Sequence, residues 1–130
     1  MAHLLDTDMV IDHLAGRTSA TDRIGELAEA DVYIGMVTYM EVWQGVLESA
    51  DPVIAQTTFE AFLASAPVHP FSAEIARRCA RLRSDLKLQG KRVRPRALDL
   101  ITAATAIELD LTLVTRNTGD FQDIPGLNLY

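Results

Sequence analysis

Short apolar runs alternate with longer stretches of helical period along this chain, and that alternation confines it to an α/β class. Parallel strands need crossover connections of a dozen or more residues, usually helical, and His3 to Leu5, Val32 to Ile34 and Thr112 to Thr115 are separated by such segments. The expected architecture is therefore three-layered, α/β/α, with a short and mainly parallel central sheet. A length of 130 residues with 48% hydrophobic content suits one core and not two, so a single domain over residues 1–130 is expected.

Local signals set the expected boundaries. A helix over Met9 to Ala15 stops at Gly16, and Thr18, Ser19 and Thr21 read as a turn before a helix from Asp22 to Ala30. Thr38 to Ser49 reads as the next helix. Asp51-Pro52 supplies a cap and first turn for another, which runs to about Ser65. Val68 to Pro70 is a short edge strand, and Ser72 caps a long helix from Ala73 to Gln89 that stops at Gly90. Lys91 to Pro95 is a basic loop. A helix over Ala97 to Leu109 carries Ala103, Ala104 and Ala106, small enough to lie close on a sheet, and Leu127 to Leu129 reads as a last edge strand.

Several classes are excluded. A membrane-spanning helix needs about 18 consecutive apolar residues, and the longest candidate, Leu98 to Val114, is broken by Asp99, Glu108 and Asp110. The amino terminus lacks a basic region and carries an acid at position 6, so no signal peptide and a cytoplasmic location are expected. The single Cys79 rules out an intrachain disulfide, and His3, His13 and His69 are too scattered for zinc. The net charge of -6 argues against nucleic acid until its distribution is considered. Residues 1–76 hold 12 acids and 2 bases, whereas nine of the 12 basic residues fall between Arg77 and Arg96, ending just before Asp99. A phosphate-attracting surface would then border an acid.

Four acids occupy the expected ends of parallel strands, where an open sheet gathers distant residues into one crevice. Asp6 directly follows a strand. Either it or Asp8 caps the first helix, and Asp8 is expected to take the cap, leaving Asp6 free. Glu41 stands three residues after Thr38, which is capping-box spacing, so cap and crevice compete for its carboxylate. Asp99 lies in a first helical turn, where the dipole favours an acid whatever its function. Asn117 and Asp120 follow the last buried strand, in a segment that turn chemistry also explains.

These pieces, Leu-Leu-Asp6-Thr-Asp8, Val37-Thr38 through Glu41 with Gly45-Val46, Asp99-Leu-Ile-Thr-Ala-Ala-Thr-Ala106 and Leu113 through Phe121, recur in order and spacing in a known family. The chain resembles the PIN-domain ribonucleases and, among them, the VapC-like toxins of toxin-antitoxin systems. The resemblance implies a PIN-like fold and a metal-dependent endoribonuclease in which Asp6, Glu41, Asp99 and Asp120 hold Mg²⁺ or Mn²⁺. All-oxygen ligands suit these hard cations, which would activate water and stabilise the leaving oxygen. Thr7, Asp8, Thr115 and Asn117 would support the site, and Arg92, Arg94, Arg96 and Arg116 would hold RNA. Family members commonly carry Asn or Ser at the position of Asp8, and some place the fourth acid where Asn117 stands. A homodimer and a cognate antitoxin are implied as partners, with Val42, Trp43 and Val46 as candidate contacts. Two other classes compete: a haloacid-dehalogenase-type phosphohydrolase, with Asp6 as nucleophile and a motif at Gly119 to Asp123, and a non-catalytic domain that binds RNA or protein.

Overall fold

The computed structural model describes residues 2–130. β1 (Ala2–Leu5), β2 (Asp31–Gly35), β3 (Val68–His69) and β4 (Thr112–Val114) form a parallel sheet in the order β3-β2-β1-β4. The pleat sends alternate residues to opposite faces. Leu4 and Leu113 point into a core under α5 (Ala73–Leu88) and α6 (Ala97–Glu108). Leu5, Ile34 and Val114 point into a second core under α1 (Thr7–Leu14), α2 (Thr18–Gly25), α3 (Met36–Leu47) and α4 (Pro52–Leu63). The three-layer expectation is met.

The strand order locates a crevice. From β1 the chain steps to β2 and on to β3 in one direction, and β4 then returns to the other side of β1. Where neighbouring strands lead their connections to opposite sides, their carboxyl ends leave a gap between loops, and here that gap lies between β1 and β4. The backbone N–H of Asp6 donates to Val114 O at 2.9 Å, so the first residue beyond β1 is tied to the end of β4.

Several caps fall where the residues require them. Asp51 accepts from the Ile54 N–H, Ser72 accepts from the Ile75 N–H, and Gly16 and Gly90 follow their helices with φ of 80° and 78°. Three expectations are corrected. Thr18–Thr21 is the first turn of α2 instead of a turn before it, and α2 ends at Gly25, because Ala20 is drawn into the core as its one buried residue. The third helix starts at Met36, not Thr38: Gly35 precedes it without a side-chain cap, and buried Thr38 lies inside. The last edge strand is reduced to a bridge between Leu129 and Leu113.

α6 is the element that carries an acid to the crevice. Ala103, Ala104 and Ala106 are fully buried, which lets the helix lie against the sheet with its first turn, and Asp99, at the strand ends. Among the described residues no helix is long and apolar enough to cross a membrane.

Candidate active site

Asp6 is the hinge between β1 and α1. Its extended backbone (φ -75°, ψ 160°) ends the strand, and its side chain accepts from the Thr7 N–H at 2.8 Å. Asp6, not Asp8, is therefore the N-cap of α1, because the helix starts at Thr7, two residues before the Met9 start that an Asp8 cap requires. Capping and site membership are compatible: one carboxylate oxygen holds the helix, and the other accepts from Thr115 Oγ1 at 2.9 Å. Asp8 lies one turn in. Its Oδ2 accepts from Asn117 Nδ2 at 2.8 Å and from the Arg116 N–H at 3.2 Å, while its Oδ1 is buried without a partner.

Glu41 is freed from capping, since the helix begins five residues before it. Its Oε1 accepts from Thr7 Oγ1 at 2.7 Å, and the same hydroxyl lies 3.0 Å from Thr38 Oγ1. A threonine on α1 thereby orients a glutamate on α3. Asp99 is half-buried in the first turn of α6, and Asp120 is exposed on the short turn after β4.

The acids sense one another. The Asp6 carboxyl is pushed up to about 6, first by burial and then by Asp8, with Asp99 adding, against the pull of its bonds from Thr115 and Thr7. Asp99 is raised by burial, then by Asp120 and Glu41, with Arg96 opposing and Asp8 adding. Asp8 is raised by its own burial, against the Met9 N–H and Arg116. Five acids from four separate stretches of sequence share one negative field at the β1/β4 gap.

Residues 3–127 match the PIN domain family. This chain belongs to that family. It is similar to the tRNA(fMet)-specific endonuclease VapC of Shigella flexneri, with 28% identity over 124 residues covering 95% of this chain and 92% of the relative. It is also similar in structure to a chain of VapBC2 from Rickettsia felis bound to a DNA fragment from their promoter. That match has a TM-score of 0.89 and 27% identity, covering 100% of this chain and 98% of the other. A chain of a toxin-antitoxin complex from Klebsiella pneumoniae gives 0.75 and 32%, covering 96% and 94%.

The PIN match disfavours the phosphohydrolase, and Asp123 of its motif is engaged by Lys91 at 3.1 Å. The residues of this PIN chain fit a hard cation by chemistry: the crevice offers carboxylate and hydroxyl oxygens, and one carboxylate oxygen is buried and unpaired. Among the described residues, no three potential ligands are gathered tightly enough to grip an ion by themselves.

Two expected RNA contacts are otherwise engaged. Arg116 donates from Nη1 to Asp12 Oδ2 at 2.6 Å and lies 3.9 Å from Asp8, and Arg96 forks onto Asp123. Arg92 and Arg94 are exposed. Asn117 spends its amide N–H on Asp8, while Asp120 faces Asp99 across a cleft that they share with Arg96 and Asp123. Val42 and Val46 are core residues, and Trp43 stacks on Tyr39 with centroids 6.3 Å apart. Sequence reasoning passed over Asp12 as a partner for Arg116, although its i, i+4 spacing from Asp8 places both acids on one face of α1.

Proposed function

We propose that this PIN-domain chain is a VapC-like endoribonuclease, the toxin of a toxin-antitoxin pair, working in the cytoplasm as one nuclease domain over residues 1–130 with Mg²⁺ or Mn²⁺. The observation that carries the reading is the shared field of Asp6, Glu41, Asp99 and Asp120 at the β1/β4 gap of a chain similar over 95% of its length to an RNA endonuclease.

Asp6 and Asp99 are the central oxygen donors, with Glu41 and Asp120 on either side. Thr115 and the Thr7 N–H fix the Asp6 carboxylate, and the Thr7 hydroxyl fixes Glu41, so the donors keep their orientation without the cation. When bound, the cation supplies a Lewis acid for the phosphate and lowers the pKa of water. Arg92 and Arg94 hold the RNA backbone at the mouth. Asp120 supplies the fourth acid, since it faces Asp99 across the cleft they share with Arg96 and Asp123. Hydrolysis by water leaves a 5′-phosphate and a 3′-hydroxyl.

An apolar groove of about 530 Å³ between α1, α3 and α4, with Ile11 and Ile54 exposed on its walls, supports docking of an antitoxin segment. Met36, Met40, Leu47 and Val53 on α3 and α4 are also exposed, and this apolar area supports pairing with a second copy.

Purified chain freed of any partner should cleave mixed cellular RNA with Mg²⁺ or Mn²⁺ and lose cleavage in EDTA or as Asp6→Asn. Ends bearing 2′,3′-cyclic phosphate, or cleavage that survives both controls, would sink the reading.

A further inference from the structure

The loop before α6 and the turn after β4 carry the two acids that face each other at the outer side of the crevice, Asp99 and Asp120. The two segments are joined by a polar clamp. Arg96 donates from Nη1 to Asp123 Oδ2 at 2.9 Å and from Nη2 to Asp123 Oδ1 at 2.7 Å. Nη2 also donates to the backbone carbonyl of Asp120 at 2.9 Å, and Lys91 Nζ reaches Asp123 Oδ2 at 3.1 Å.

We propose that Arg96 and Asp123 are positioning residues which hold Asp120 opposite Asp99 and keep the guanidinium off both carboxylates. This inference rests on the nuclease reading above.

Arg96 immediately precedes α6, so its backbone moves with Asp99, while its side chain grips the main chain of Asp120. One residue thus spans both sides of the cleft. A two-pronged guanidinium–carboxylate pair fixes direction as well as distance, which a single lysine contact does not. The geometry also settles a competition. Arg96 stands close enough to Asp99 and Asp120 to feel both charges, and a free guanidinium beside two carboxylates would pair with them and oppose a divalent cation. Asp123 accepts both prongs, leaving Arg96 to touch Asp120 only through its carbonyl. Arg96 thereby acts on the site through Asp120 and Asp99, without contacting RNA.

The test reads cation binding without RNA: titration of Mn²⁺ into the purified chain, followed by the electron paramagnetic resonance signal of free Mn²⁺. Asp123→Asn should weaken Mn²⁺ binding about tenfold, the size of coupling expected within one charged network. Asp123→Glu should restore most of it. Arg96→Met should lose a similar amount, and Asp123→Asn added to Arg96→Met should cost nothing more, because Asp123 acts through Arg96. Amide hydrogen exchange across residues 117–123 should speed up in both single variants, which keeps the clamp testable should one variant fold poorly. Unchanged Mn²⁺ affinity in Asp123→Asn, or additive losses in the double variant, would overturn the clamp while leaving the nuclease reading intact. A wild-type chain that binds no Mn²⁺ would remove that reading, and this inference with it.

Discussion

Asp6 caps α1 and sits in the acid cluster, and the two tasks pull its energetics in opposite directions. The bonds from Thr7 and Thr115 favour the carboxylate, but burial and the Asp8 charge win and raise its pKa to about 6. A carboxyl whose folded pKa lies above its unfolded value binds more protons in the native state, so stability falls as pH rises from about 4 to about 6 and the full penalty remains above that. In EDTA at pH 7.5, Asp6→Asn should therefore stabilise the chain by about 1 to 3 kcal/mol while abolishing cleavage, since roughly two pKa units correspond to nearly 3 kcal/mol. Urea unfolding at pH 4 and pH 7.5 checks it; an Asn variant less stable than wild type at both pH values would refute the penalty. Asp6 could be read from sequence because a strand, an acid and a helix follow one another without a gap. Its role as cap could not, because choosing between Asp6 and Asp8 turns on where the helix starts, a matter of two residues. Glu41 shows the same limit: capping-box spacing after Thr38 is sound chemistry, but burial of Val37 and Thr38 carries the start of α3 back to Met36.

At the scale of elements, the site depends on how closely α6 lies on the sheet. Ala103, Ala104 and Ala106 are each fully buried, and Asp99 projects from the turn that their packing sets. Enlarging one of them pushes against a packed core. Ala104→Leu should cost about 1 to 3 kcal/mol of stability and lower kcat by displacing Asp99, with the chain still folded by circular dichroism. Retained kcat at reduced stability would separate helix packing from site geometry. This helix was legible because its alanines leave little else for it to do. α2 was not, since Thr18, Ser19 and Thr21 are good turn residues and only the contact of Ala20 with the second core makes them helical.

Over the whole molecule, the acids and bases of this chain are sorted in space as well as in sequence. The long basic run lies on α5 and the turn that follows, and the fold then spends part of it on acids from elsewhere. Glu108 takes Arg78, Glu74 takes Arg77, and Asp123 takes Lys91 and Arg96. These pairings mostly span 27 to 32 residues, so no local pattern could reveal them, whereas the asymmetry of charge was plain from composition. Arg92 and Arg94 in that turn stay exposed to solvent, Arg94 two residues before Arg96 of the clamp. RNA approaching a chain of net charge -6 must find this local positive field within a Debye length of about 10 Å at 0.1 M salt. Each phosphate contact on a single strand contributes about 0.7 to the slope of log affinity against log salt concentration. Replacing Arg92 and Arg94 together with Gln in the Asp6→Asn background should therefore reduce that slope by about 1.4, read by fluorescence anisotropy of labelled single-stranded RNA. Arg77→Gln, at the far end of α5 and already beside Glu74, should leave the slope where it was. An equal loss from both changes would mean that RNA follows the whole of α5, and an unchanged slope in the double variant would remove the turn after α5 from the RNA path. The expected pattern confines RNA to the end of the sheet where the acids meet.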